Sequence, residues 1–301
     1  MPELPDVELY LHALQLRVVN RHLERVRLGN PFVVRTIEPP VSALEGQTIE
    51  DLRRLGKRLV FHFGDDLFMV LHLMIAGRLR WRERGATIPA KVGLGAFDFE
   101  GGTLILTEAG ARRQASIHIV RGAEALGTHD PGGIEVLDLD LAMFARHLTR
   151  ENHTLKRALT DPRIFSGIGN AYSDEILHAA RLSPMKLTSA LTQADIETLY
   201  HATIDTLRFW VHRLREETGD RFPEKVTAFR PDMAVHGKYG KPCPVCGRPI
   251  QRIVYARNES NYCSQCQTGG RLLSDRALSK LLREDWPKTL EDLEERKRAA
   301  R

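Results

Sequence analysis

All four cysteines of the chain stand in two matched pairs, CPVC at Cys243 and Cys246 and CSQC at Cys263 and Cys266, with 16 residues between the pairs. No other feature restricts the fold so tightly. Each pair brings two sulfurs to one side of a tight turn, and two such turns close a tetrahedral zinc site made only of thiolates. Two disulfides would need an oxidising compartment, and a redox dithiol would need one pair rather than two. Between the pairs, RPIQRIVYARNESNY reads as a strand, a polar turn around Asn258 to Ser260, and a return strand ending at Tyr262. So short a segment buries no core of its own, so metal binding supplies much of its folding free energy. One structural Zn2+ per chain is expected, with no open coordination position for catalysis.

At 301 residues the chain suits two or three domains, since about 100 to 200 residues is the usual unit. It shows no basic flank with apolar run and cleavage site near its start, and no run of about 20 apolar residues. The expectation is a soluble cytoplasmic protein with no membrane partner. Lys and Arg number 44 against 39 Asp and Glu, and the excess falls in residues 230–301, which hold 15 basic and 9 acidic residues. A polyanion partner at that end fits this charge, as does an ordinary solvated surface.

Along the chain, DVELYLHALQLRVVNRHL carries Val7, Leu11, Leu14 and Val18 on one helical face, with Asp6 placed to cap its start. From about Val26 to Val120 the pattern changes to short runs such as RLVFHF, FMVLHL and GTLILT between Gly and Asp clusters, which predicts a β-sandwich or flattened barrel. GTHDPGGIEVLDLD carries turn signals and reads as a linker. Helical patterns run from Leu141 to about Glu217, and the cysteine hairpin follows. After Arg271 the chain is amphipathic up to Trp286, is interrupted by Pro287, and then becomes highly charged, which reads as a solvated helix. The expected segments are 1–125, a 126–140 linker, 141–230, 231–270 and a 271–301 tail. The fold class is α+β.

Three motifs in order, MPELPDVE at the start, GIGNAYSDEIL at Gly167 to Leu177, and the CPVC and CSQC pairs, resemble the formamidopyrimidine-DNA glycosylase and endonuclease VIII family of base-excision repair enzymes. The similarity spans about residues 1–267. It implies an N-terminal β-sandwich, a helix-two-turn-helix domain and a C-terminal zinc finger, acting as a monomer on double-stranded DNA that carries damaged bases or abasic sites, held in the cleft between the two halves.

Taken alone, Pro2 suits a helix entry, where a proline's fixed φ is pre-set and its missing N–H costs nothing. The resemblance implies another use. Removal of Met1 exposes Pro2 as a secondary amine, and an α-amine with an ordinary pKa of about 7.7 to 8.0 is nucleophilic near neutral pH. It would attack the sugar C1′, expel the base and leave a Schiff base that permits strand cleavage by elimination. Glu3 then moves the protons. Lys57 falls where the family places a lysine beside the lesion's phosphate, His72 where a histidine contacts phosphate, and Met74 where a methionine fills the gap left by the everted base. Asn170 at a helix start, behind Gly167 and Gly169, implies a grip on the DNA backbone, and Lys156 a further phosphate contact. A plain helix cap would use the same Asn170 atoms.

The chain departs from the family's pattern in three places. Arg112 or Arg113, in TEAGARRQASIHI, stands in for the arginine that probes the base opposite the lesion, and no phenylalanine follows. EETGDRFPEKVTAFRPDMAVHGKYG does not resemble the usual cap over oxidised guanine. Asn258 occupies the finger's arginine position, with Arg257 one place earlier. A DNA-binding protein of this fold that had lost catalysis would bind in a salt-sensitive way and cleave nothing.

Overall fold

The computed structural model describes residues 1–110, 112–255, 258–274 and 286–299. It divides into two compact units, one of Met1–Gly133 with Arg208–Ala228 and one of Ile134–Leu207 with Phe229–Arg301. Among the described residues no helix is long and apolar enough to cross a membrane.

The first unit opens with helix α1 (Leu4–Val18). Its cap is Glu3 rather than Asp6: the Glu3 N–H donates to Asp6 Oδ2 at 3.0 Å, and the reciprocal contact completes a capping box. Asp6 thus serves from inside the first turn. Strands β1 (Leu23–Leu28), β2 (Ile49–Leu55), β3 (Arg58–Phe63), β4 (Leu67–His72), β5 (Gly77–Arg82), β6 (Gly93–Phe99), β7 (Gly102–Glu108) and β8 (Ser116–Arg121) follow. They form two four-stranded antiparallel sheets, ordered β1-β6-β7-β5 and β2-β3-β4-β8. This is the expected sandwich. Phe61, Met69 and Ile119 share one row across the second sheet and are buried, as are Phe97 and Leu104 of the first.

The opposite face of the second sheet is also covered. Val60, Phe68, Val70 and Val120 pack with Leu126 of the short helix α2 (Ala123–Gly127) in a second apolar cluster. Burial on both faces explains why RLVFHF and FMVLHL read as nearly continuous apolar runs rather than alternating ones. Helix α1 packs on β2 and β3, and its Glu8 carboxylate accepts from Arg54 at 3.1 Å and from Arg215 at 3.0 Å. Phe222 brings its ring to 6.0 Å from Tyr10 and 6.4 Å from Trp81, so the 208–228 segment packs against this unit.

The second unit holds helices α3 (Leu141–Thr149), α4 (Leu155–Thr160) and α5 (Asn170–Ala179) and the first part of α6 (Gln193–Thr218). Local chemistry sets their starts. Asp140 accepts from Met143 N–H, Thr154 from Arg157 N–H, and Thr192 and Asp195 exchange bonds in a capping box. Strands β9 (Gln251–Tyr255) and β10 (Asn258–Tyr262) form the finger hairpin, followed by helix α7 (Ser264–Thr268). Asn258 to Ser260 therefore lie inside β10, not in a turn, because Asn258 pairs with Tyr255 and Ser260 with Ile253. Helix α8 (Leu290–Ala299) lies in the tail; its Leu290 is buried and its Glu291 pairs with Arg248 of the finger at 2.8 Å, so this stretch is not wholly solvated. Residues 275–285 of the expected tail helix lie outside the described residues.

Candidate active site and metal centre

Four separate segments of the first unit converge at one end of the β2-β3-β4-β8 sheet. Lys57 sits with Gly56 between β2 and β3, where Gly56 takes φ +62°, a left-handed conformation that glycine adopts without penalty. His72 ends β4 opposite Arg58 on one side and Ser116 on the other. The loop from Glu108 to Ser116 enters β8 at this same end. It carries exposed Arg112 and Arg113 and is pinned by the buried Glu108 carboxylate, which accepts the Gln114 and Ala115 N–H groups at 2.8 and 3.0 Å.

The amino terminus completes the group. Pro2 and Glu3 are buried at the head of α1. The Met1 amine is pushed below its ordinary range, first by burial and then by Arg78 and Lys57, against the opposing pull of Glu3 and Asp6. These four residues thus bear on one amine. Burial, then Arg58, Lys57 and His118, hold the His72 imidazole at a pKa of about 4, so its ring is neutral at pH 7. Among the described residues its Nε2 is buried without a hydrogen-bond partner.

Between β4 and β5 the chain makes a tight turn in which Gly77 N–H donates to Leu73 O at 2.9 Å. A Cβ at Gly77 would lie 2.2 Å from that oxygen, so only glycine closes it. Met74 is partly buried with φ +51°, an uncommon state for a side chain of its size, while the next residue, Ile75, is 62% exposed. Arg78 braces the turn by donating to the Ile75 carbonyl at 3.1 Å. The apolar group presented to solvent here is Ile75, not Met74. Its signal in the sequence was only its adjacency to Met74.

In the second unit Gly167 takes φ +81°, and Gly169 is the N-cap of α5, with no side chain capping the helix. Asn170 is the first helical residue and is half-exposed. Its side chain is therefore not the cap. Lys156 is placed elsewhere than a surface: it is 3% exposed, and its ammonium donates to the Asn170 carbonyl at 2.7 Å and to Asp174 Oδ1 at 2.5 Å. Asp174 and Glu175, next in the same motif, passed unnoticed in the sequence. Glu175 accepts the Ala234, Val235 and His236 N–H groups at 2.7, 2.9 and 2.9 Å, holding the segment that leads into the finger. Arg257 lies outside the described residues.

The cysteines meet as their spacing required. All four Sγ atoms lie within 4.8 Å of one another, with Cys243 3.9 Å from Cys266 and Cys246 3.4 Å from Cys263. Tetrahedral Zn–S bonds of about 2.3 Å put sulfurs about 3.8 Å apart, so the cluster fits one zinc ion with no open position. His178 Nε2 stands 3.3 Å from Cys243 Sγ, and the Cys266 N–H donates to Cys263 Sγ at 3.4 Å, a surround suited to thiolates. One zinc here is structural.

Comparison with known proteins agrees with this geometry. Residues 1–117 match the formamidopyrimidine-DNA glycosylase N-terminal domain, residues 133–219 the H2TH domain of the same enzymes, and residues 240–269 the zinc finger found in FPG and IleRS. The chain is 32% identical to the formamidopyrimidine-DNA glycosylase of Desulforamulus reducens, over 89% of this chain and 99% of that protein. It is also 32% identical to that of Enterococcus faecalis, over 89% and 97%. Among solved structures, the Lactococcus lactis enzyme bound non-covalently to DNA containing an abasic site superposes with a TM-score of 0.77 at 27% identity, over 88% of this chain and 99% of that one. MutM in complex with DNA containing carbocyclic 8-oxo-G gives 0.77 at 27%, over 89% and 100%. With three domains matched in order and a relative 32% identical along nearly its whole length, this chain belongs to the formamidopyrimidine-DNA glycosylase family.

Proposed function

We propose that the protein is a base-excision DNA glycosylase with abasic-site lyase activity, acting on duplex DNA that carries a damaged base or an abasic site. The observation that carries this reading is the convergence of Glu3, Lys57 and Arg78 on an amino terminus beside the buried Pro2, whose amine is held below its ordinary pKa. Removal of Met1 passes that environment to the Pro2 nitrogen. A secondary amine whose charged form is disfavoured by its surroundings is a ready nucleophile.

The chemistry balances with the residues present. The Pro2 nitrogen forms a bond to C1′ as the base departs with its bonding electrons and takes up a proton. Sugar-ring opening then leaves an iminium, and Glu3 supplies the proton to the ring oxygen. The iminium acidifies C2′; loss of a C2′ proton expels the 3′ phosphate, and water later releases Pro2. Glu3, buried at the head of α1 and bonded to its first turn, is held where a proton carrier is needed. Lys57 supports the phosphate beside the lesion.

The family resemblance assigns His72 a phosphate contact, and the ring that would make it is neutral at pH 7. Ile75, exposed at the tip of a turn fixed by Gly77, is the wedge that enters the base stack, and Met74 shapes the turn behind it. Arg112 faces the opposite strand from its exposed loop. Asn170 grips the backbone in the other unit, and Lys156 acts by positioning it rather than by touching DNA. Zinc holds the finger, to which the family resemblance assigns a phosphate contact at Arg257.

The test is strand cleavage of a duplex carrying one abasic site. The Met1-free protein should cleave it, and the same protein with its amino terminus chemically blocked should be slower by about 100-fold or more, as for loss of a covalent nucleophile. Equal rates for the two would refute the reading.

A further inference from the structure

One buried group has no part in this chemistry. The Asp174 carboxylate is 1% exposed and sits among four donors. Its Oδ1 accepts from the Lys156 ammonium at 2.5 Å and the Ser260 hydroxyl at 3.1 Å; its Oδ2 accepts from His236 Nδ1 at 2.9 Å and the Asn261 amide at 3.2 Å. These donors come from α4, from β10 of the finger hairpin and from the segment before the finger. Through Lys156, which also donates to the Asn170 carbonyl, the same carboxylate reaches the first residue of α5.

Stability alone is a poor account of such a group. Moving a charge out of water is costly, and apolar packing of the same volume would hold the segments together as well or better. What a carboxylate adds is direction, because each donor must meet its own lone pair at a fixed place. Ser260 and Asn261 stand side by side on β10 and both turn their polar atoms to it, so the strand cannot slide against α5 without breaking both bonds. Asn261 is 1% exposed and Ser260 2%, so water cannot replace what is lost.

We propose that Asp174 is a positioning residue that couples the zinc-finger hairpin to the Asn170 turn, so that these two parts of the second unit engage the DNA backbone as one element. The inference rests on the reading that the Asn170 turn grips phosphate.

The experiment severs only the hairpin arm, with Ser260→Ala/Asn261→Ala, leaving the Lys156 and Asp174 pair and the four thiolates in place. In the free, zinc-loaded protein, amide hydrogen exchange across residues 167–174 should quicken by about tenfold, the size of a lost pair of network bonds. Unchanged exchange there, with exchange faster only in the hairpin, overturns the coupling. On abasic-site duplex, Asn170→Ala and the hairpin variant should be non-additive in dissociation constant, the combined variant binding several-fold tighter than the product of the two losses, with KM rising more than kcat falls. Additive losses overturn the coupling and leave the glycosylase reading standing. A wild-type protein that neither binds nor cleaves abasic DNA overturns that reading, and the exchange result still decides the coupling. Ser260→Ala alone is the gentler cut if the double variant loses zinc, and Ser260→Thr, which keeps the hydroxyl, should restore wild-type exchange.

Discussion

His72 and Arg58 are directly opposed across the β3-β4 ladder, and after burial Arg58 is the strongest influence holding the His72 imidazole at a pKa of about 4. An unfolded histidine titrates near 6.5, so between pH 6.5 and 4 the unfolded chain binds the extra proton and the folded one does not. The contribution to stability is therefore complete above pH 6.5 and is lost as pH falls towards 4, up to about 3 kcal/mol from this residue. His118 and His129, also lowered by burial and by neighbouring cations, steepen the same limb. Denaturant unfolding at pH 7 and pH 5 should show the loss, and His72→Leu should flatten it. A slope unaltered by His72→Leu would contradict the assignment.

Lys156 should matter through its partners rather than its surface charge. Lys156→Met leaves Asp174 buried without its main counter-charge, a change that costs about 3 to 5 kcal/mol. The zinc-loaded variant should melt well below wild type. A lysine that met only phosphate would leave the melting temperature unmoved and alter DNA affinity alone.

The wedge assignment separates two neighbouring residues. Ile75→Ala removes an exposed side chain, so stability should change by less than about 0.5 kcal/mol. Base excision should slow by about tenfold or more, because the void of an everted base is no longer filled, while cleavage at a pre-formed abasic site should suffer less. Met74→Ala should leave the excision rate near wild type. The reverse order of effects would return the wedge to Met74.

Removal of zinc should act on the finger. Metal analysis should return about one ion per chain, and Cys266→Ser or strong chelation should abolish DNA binding together with the finger's fold. The β-sandwich should keep its cooperative transition, since its core uses none of these ligands.

How much of this was legible in the sequence depended on how far apart the participants lie. The zinc site was readable because ligand spacing within each CxxC pair is local, and the sandwich because both-face burial of β3 and β4 leaves unbroken apolar runs. Pro2 and Glu3 gave no signal of their own; a proline before a helix is ordinary, and only the resemblance carried their role. Asn258 to Ser260 were read as a turn because polar residues usually mark one, yet Ser260 and the neighbouring Asn261 serve a buried carboxylate 86 and 87 residues earlier. Lys156 was read as a phosphate contact for a similar reason. Its charge was visible, but the partner that turns it inward was not. Met74 was named from the family's pattern, and only the turn's backbone shows that the neighbouring Ile75 is the more exposed side chain.

The central claim is that the chain's own amino terminus is the nucleophile. Borohydride reduction during reaction of the Met1-free protein with abasic-site DNA should yield a stable covalent adduct, and peptide mass analysis should place the sugar on Pro2. An intact protein that forms no adduct, or a Pro2→Gly variant with a blocked amino terminus that is trapped as efficiently as wild type, would contradict it.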